Sequence, residues 1–295
     1  VLDLRDLHCL TALARHKHFA RAADECGMSQ PAFSMRIRKL EERLGTSVVK
    51  RGNRFQGFTE EGEAVVQHAR KIMEDVRAME QDLRSARGEV SGALTLGVIP
   101  TALGNAGLLA IELRKDYPEV TVRFETASSI AIQQGIEDGR FDAGITYAEG
   151  TSPDLMQVDP LYDEGYVLLA PSSLAPRQLG DITWAEAGEL PLCLLEPSMQ
   201  NRRIVDQTFE QVGIVPRVIA ETSGFTSAIV MAVEGLAATV MPKVLIDSLG
   251  GFPNTVALPL VEPVQEKSVC LVTAYRDPGL PAVDAFRAVA IAYHK

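Results

Sequence analysis

Between residues 59 and 86 apolar side chains return at alternating intervals of four and three: Val65, Ala69, Ile72, Val76, Met79, Leu83 and Ala86. This is an a/d seam held over three heptads. The cover around it is polar almost without a break (Gln67, Arg70, Lys71, Glu74, Asp75, Arg77, Glu80, Gln81, Asp82, Arg84). The stretch reads as one long helix, capped by Thr59 with Glu61, Gly62 and Glu63 in its first turns, that pairs with a second copy through the seam. The alternative is a core helix packed on its own domain. In either case the helix divides the 295 residues into a short N-terminal piece and a longer C-terminal one.

The two pieces differ in charge. The chain as a whole is acidic, net −10, which taken alone argues against a partner as acidic as DNA. Residues 1–60 nevertheless carry 11 Lys and Arg against 7 Asp and Glu, a net +4, which leaves −14 for the remainder. From Met28 to Arg54 there are seven basic residues and two acidic ones. The basic charge is confined to one short stretch.

That stretch has its own pattern. Leu4, Leu7, Leu10, Leu13 and Ala14 recur at helical spacing. A second, Ala-rich helix spans 19–26, Gly27 makes the turn, and Ser29 caps a third helix, with Pro31 in its first turn, that Gly45 stops. Helix, glycine turn and basic helix is the layout of a helix-turn-helix. Beyond it, β-prone residues flank Gly52-Asn53, so a hairpin is expected with Lys50, Arg51 and Arg54 at its tip. In this unit Gln30 can pair with adenine and Arg36 with guanine, Ser34 lies one turn from Gln30, and Ser29 and Pro31 open the helix. Arg38, Lys39 and the hairpin cations suit phosphates. Phe33, Ile37, Leu40 and Leu44 form the opposite, core-facing stripe.

After a linker at 88–92, strands and helices alternate to the C-terminus: strands over 93–99, 121–126, 143–147, 166–170, 192–195, 217–222, 239–241 and 269–274, with helices between. This predicts a largely parallel α/β sheet in two halves with a cleft between them. Catalysis has little to stand on there. Of five histidines (His8, His16, His18, His68, His294) none lies between 69 and 293, so a Ser-His-Asp or Cys-His centre would need His294 to reach in. No phosphate-binding glycine loop is present. Asp142, Asp163 and Glu164 could be pictured as acid/base groups but read as solvated loop carboxylates or helix caps.

Cys9, Cys26, Cys193 and Cys270 are scattered without a C-x-x-C pair, which speaks against a disulfide framework or zinc site and for a reducing compartment. The charged start lacks the apolar core of a signal peptide. The charge-free run 90–111 is interrupted by glycines and Pro100. A cytoplasmic protein with no membrane partner, no metal and no cofactor is expected.

The run Phe19-Ala20-Arg21-Ala22-Ala23-Asp24-Glu25-Cys26-Gly27-Met28-Ser29-Gln30-Pro31-Ala32-Phe33-Ser34-Met35-Arg36-Ile37-Arg38-Lys39-Leu40-Glu41 resembles the N-terminal signature of LysR-type transcriptional regulators. Lys50-Arg51, Arg54, Phe58-Thr59 and Gly62-Glu63 look like that family's wing and the start of its linker helix. Gly92–Gly97, 139–145 and 233–242 resemble landmarks of its effector domain. The chain departs from the pattern at Met35, where members often carry Arg, at Arg36, where Gln is common, and at Val48-Val49 in place of Leu-Phe.

The resemblance implies a winged helix-turn-helix over 1–58, a dimerising linker helix over 59–88 and a periplasmic-binding-protein-like α/β effector domain over 89–295. That domain would have one subdomain of about 89–161 and 267–295 and another of about 162–266. It also implies a homodimer assembled into a homotetramer, double-stranded promoter DNA and a small-molecule effector as partners, and RNA polymerase at the promoter as a further one. Mapped by the resemblance, the effector is contacted by Pro100, Thr101, Ser128, Ser129, Ser198, Gln200 and Asn201, with Thr222 and Phe225 beside them. Hydroxyls and helix starts suit an anionic metabolite, to which Arg202 or Arg203 could add a charge. The run Met199-Gln200-Asn201-Arg202-Arg203 is similar to that of members that accompany formate-dehydrogenase genes. Two rival expectations remain: a thiol-based redox sensor using Cys193 and Cys270, and an enzyme in the α/β cleft.

Overall fold

The computed structural model describes residues 2–50, 52, 55–85, 90–151, 153–154, 156–176, 180–275 and 279–294, with backbone alone at 81, 82, 84 and 85. Arg51, Arg54 and Ala86 therefore lie outside the described residues. The chain divides into two compact units. One comprises Val1–Val90 with Glu137–Arg140 and Pro278–Pro281, the other Ser91–Ile136, Phe141–Asp277 and Ala282–Lys295.

Local signals set the helices of the first unit. Asp3 caps α1 (Leu4–His16) by accepting from the Arg5 N–H. After α2 (Phe19–Glu25), Gly27 turns the chain at φ +65°, a left-handed conformation that costs glycine nothing. Ser29 then caps α3 (Gln30–Leu44). Leu10, Leu13, Ala22, Phe33, Ile37 and Leu40 close one core among the three helices. The wing is narrower than a full hairpin: its one described ladder contact is an antiparallel bridge between Val49 and Phe58. It is pinned to α3 by Glu41, whose Oε1 accepts from the Val48 and Val49 N–H groups at 2.8 and 3.0 Å. Thr59 caps α4 (Glu60–Ser85) through the Gly62 N–H at 2.9 Å and donates to Ser47 O at 2.6 Å.

The heptad seam divides on folding. Ala69, with its neighbour Val66, is buried in the core of its own unit, and Val65 packs against that core. Farther along, Ile72, Met79 and Leu83 stand 41%, 56% and 62% exposed, with Val76 half-buried between them. The near end of the seam is thus used within the unit. The far end remains an apolar stripe on a polar helix.

The second unit departs from the largely parallel sheet that alternation predicts. Strand β1 (Gly92–Val98) pairs in parallel with β2 (Val120–Thr126) and β3 (Ala143–Tyr147). All pairings of β4 (Met156–Pro171) are antiparallel: its first part runs against β10 (Glu266–Ala274), its last against β8 (Thr239–Pro242) and β9 (Thr255–Val261). One 16-residue strand thereby carries the chain from one strand group to the other. The second group adds β5 (Ile182–Thr183), parallel to β9, and a separate parallel pair, β6 (Leu192–Leu195) with β7 (Val218–Thr222). Hydropathy alternation reports which face of a strand is buried and is silent on its direction, hence the difference. Helices α5 (Leu103–Asp116), α6 (Ser129–Glu137), α7 (Trp184–Glu189), α8 (Gln200–Gln211), α9 (Phe225–Val233), α10 (Lys243–Leu249) and α11 (Pro281–Tyr293) complete the unit. Trp184 anchors the second group, fully buried, edge-on to Phe209 and donating to Pro263 O at 2.9 Å.

Candidate nucleic-acid interface and ligand cleft

Helix α3 buries Phe33, Ile37 and Leu40 and turns the rest of its surface outward. Exposed Gln30, half-buried Ser34 and exposed Arg38 follow one another at single-turn intervals along one flank. Together with Ser47, Val49, Lys50 and Gly52 of the wing they line a groove of about 860 Å³. Ser29 and Pro31, at the start of the helix, are exposed.

Arg36 is not in this groove. Its position on the helix turns it to the other flank, where Asp6 of α1 lies only 3% exposed and requires a counter-charge. Arg36 Nε sits 2.8 Å from Asp6 Oδ1 and Arg36 Nη2 3.3 Å from Asp3 Oδ2, while Arg43 pairs with the second oxygen of Asp6. The arginine taken from the sequence as a guanine reader is engaged as a brace between α3 and α1. Met35, which the sequence marks as a departure from the family pattern, stands 56% exposed on the outward crest of the helix. Its apolar character was visible; its place on the crest follows only from which residues the core takes.

In the second unit the ends of several elements converge. The turn Pro100–Ala102 after β1, the start of α6 and the start of α8 enclose a cleft lined by Ile99, Pro100, Thr101, Ser128, Ser129, Tyr147, Leu195, Met199, Gln200 and Asn201. Six residues assigned through the resemblance meet here: Pro100, Thr101, Ser128, Ser129, Gln200 and Asn201. Three do not. Ser198 is exposed in the preceding loop, its carbonyl accepting from Arg203. Thr222 Oγ1 is occupied with the Gly224 backbone, and Phe225 packs into the core with Val167 and Leu195. Arg202 is also turned away, held by Leu195 O, Asp206 and Glu221 at 2.6 to 2.8 Å.

The cleft is closed to about 10 Å³, the space of one water. Two of the residues lining this closed space carry a buried polar atom without a partner, Ser129 Oγ and Asn201 Nδ2. Unpaired buried polar groups are costly, so each marks a place where a polar atom is expected. Beneath the cleft, Thr101 Oγ1 lies 3.3 Å from the Tyr147 hydroxyl, which donates to Glu164 Oε1 at 2.8 Å.

Glu164 corrects the sequence reading. It is a strand residue of β4, 1% exposed, and burial pushes its carboxyl up to about 7 against the opposing pull of the Tyr147, Thr101 and Tyr166 hydroxyls. Its companions fare differently. Asp142 Oδ2 accepts from the Thr95 N–H at 2.7 Å, and Asp163 bonds Ser268. Cys193 and Cys270 are fully buried in β6 and β10, and burial raises both thiols, Cys270 to about 12. Among the described residues no His, Cys, Asp and Glu group could hold a metal, and no helix is long and apolar enough to cross a membrane.

A winged helix-turn-helix joined to an α/β unit with a small-molecule cleft is the architecture of a ligand-responsive bacterial regulator. Residues 4–63 match the model of the bacterial regulatory helix-turn-helix proteins of the lysR family, and residues 87–294 that of the LysR substrate binding domain. The chain belongs to the LysR family of transcriptional regulators. It is 30% identical to the DNA-binding transcriptional dual regulator OxyR of Escherichia coli K12 over 284 residues, 95% of this chain and 91% of that one. Among solved structures it is similar to a full-length OxyR variant from Pseudomonas aeruginosa (TM-score 0.75, 24% identity, 98% and 94% coverage). It is also similar to full-length CbnR complexed with its target DNA (TM-score 0.67, 20% identity, each chain covered in full).

Proposed function

We propose that this regulator binds promoter DNA through the α3 face and wing and that a small oxygen-rich anion, taken up in the cleft, changes that binding. The cleft carries the reading: Ser129 Oγ–H and Asn201 Nδ2–H are unpaired donors that converge with the starts of α6 and α8, whose free N–H groups favour negative charge. An acceptor-rich ligand satisfies both at once. Because the closed cleft admits nothing larger than a water, binding selects a more open arrangement and shifts the population toward it. On the DNA side, Gln30, Ser34 and Met35 face the bases, and Arg38, Lys39 and Lys50 hold phosphates. The exposed run Ile72–Met79–Leu83 serves pairing of two copies.

Relatives 29% and 30% identical to this chain are named hydrogen peroxide-inducible genes activators, and a thiol-based peroxide response needs an exposed, acidified thiol. In this chain Cys9, Cys193 and Cys270 are buried, Cys26 is half-buried, and burial raises all four. The thiols therefore support a metabolite ligand over a redox signal.

The test is a footprint on DNA selected in vitro from random sequence by the full-length protein, titrated with small carboxylates. Asn201→Leu and Ser129→Val are expected to retain the salt-sensitive footprint and lose the carboxylate response by tenfold or more in apparent affinity. A footprint moved by hydrogen peroxide and indifferent to carboxylates would reverse the assignment. The selected site also tests Met35. Replacing a thymine by uracil removes one methyl, worth about 0.8 kcal/mol when buried, or a factor of about four. One thymine per half-site is expected to show that loss with the wild-type protein and none with Met35→Ala.

A further inference from the structure

Glu164 does not line the cleft. It ends a chain of hydroxyls that does: Thr101 Oγ1, 1% exposed in the cleft wall, then the Tyr147 hydroxyl at 3.3 Å, then Glu164 Oε1 at 2.8 Å. Its second oxygen, Oε2, is buried without a partner.

A chain of this kind has two senses. With Glu164 ionised, the Tyr147 proton points to Oε1, the Thr101 proton points to Tyr147, and Thr101 offers the cleft only lone pairs. With Glu164 protonated, its own O–H donates to the Tyr147 oxygen. Tyr147 then donates to Thr101, and the Thr101 O–H is released to donate into the cleft. One proton at Glu164 thus converts the cleft floor from acceptor to donor across two intervening hydroxyls.

We infer that Glu164 is a positioning residue that sets the ligand polarity of the cleft, so that an anionic effector binds together with one proton taken up at Glu164. This deepens the anion reading above and rests on it. The groups facing Glu164 leave the proton no nearer home. Tyr147 comes from β3 and Thr101 from the turn after β1, while Tyr162 and Tyr166 flank it on β4 with buried hydroxyls. Across on β10, Lys267 is its register partner, but that ammonium sits 2.6 Å from Glu149. Just beyond α11, His294 stacks on Tyr162 with ring centroids 5.1 Å apart, and burial lowers its pKa. Glu164 is already raised to about 7 by burial, and a second negative charge nearby raises a carboxyl further.

The experiment is calorimetric titration of the full-length protein with formate, acetate, benzoate and nitrate between pH 6 and 8.5, in buffers of different ionisation enthalpy. Below about pH 7 affinity is expected to be flat. Above it, affinity should fall about tenfold per pH unit, with close to one proton taken up per anion bound. Glu164→Gln, whose amide is neutral and still donates, is expected to bind at the wild-type's low-pH level at every pH. A merely structural Glu164 would leave the slope untouched. Anion binding that Asn201→Leu abolishes but that shows no pH slope and no proton uptake overturns the relay alone. A slope that persists in Glu164→Gln does the same. Absence of binding by all four anions, in wild type and variant alike, overturns the anion reading and the relay with it. Proton counting on the wild type needs no variant to fold.

Discussion

Asp6→Ala is expected to destabilise the N-terminal unit by about 3 kcal/mol, the low end for removing one partner of a buried ion pair because both arginines reach solvent. In a unit of this size that is a fall of roughly 12–24 °C in its melting transition. Asp6 is the only member of the cluster that is fully buried, and Arg36 and Arg43 converge on its two oxygens from α3. Removing it leaves two guanidinium groups facing each other with no carboxylate between them except Asp3, itself half exposed. Arg36→Met should cost less, since Arg43 still neutralises Asp6. Thermal melts of the full chain, with hydrogen exchange to locate the loss to α1 and α3, check both. A shift below about 2 °C for Asp6→Ala would mean the cluster is solvated and carries little.

Gly62→Ala should be as damaging for a different reason. A Cβ at Gly62 would lie 2.0 Å from the backbone oxygen of Val48. Neither side can yield: Val48 O accepts from the Thr59 N–H at 2.9 Å, and Val48 N is held by Glu41. The first turn of α4 must move off the wing, losing the Thr59 cap with it, at about 3 kcal/mol. The wing and long helix would then part company, and sequence-specific DNA binding should fall with folded population. Gly107→Ala supplies the contrast, because a Cβ there meets nothing within 4 Å. It should raise stability by about 0.8 kcal/mol through helix propensity. Equal effects from the two substitutions would show that the Val48 contact does not matter.

Much of the N-terminal unit could be read in advance because its signals are local. Ser29, Gly27 and Gly45 act on neighbours within one turn of the chain, and the ends of α3 fall where they place them. Strand β3 falls on residues 143–147 for a similar reason, five buried residues in a row that begin directly after Asp142. Strand β4 could not be read whole. Asp159, Pro160, Asp163, Glu164 and Gly165 interrupt its apolar pattern, and what makes them a strand is pairing with β10, about a hundred residues farther along.

The site divides along the same line. Residue types and helix starts were enough to bring Thr101, Ser129 and Asn201 under suspicion, once the resemblance supplied the frame. Periodicity alone sorted Phe33, Ile37 and Leu40 from Gln30, Ser34 and Arg38. It could not show that Arg36 was already engaged, because the carboxylate that engages it sits on α1. Nor could it show that Glu164 was buried beneath Thr101 and Tyr147. Caps, turns and hydrophobic stripes depend on residues a few positions apart, so the chain states them directly. Charge pairing, burial of a carboxyl and the sense of a hydroxyl chain depend on groups that meet only after distant segments have packed.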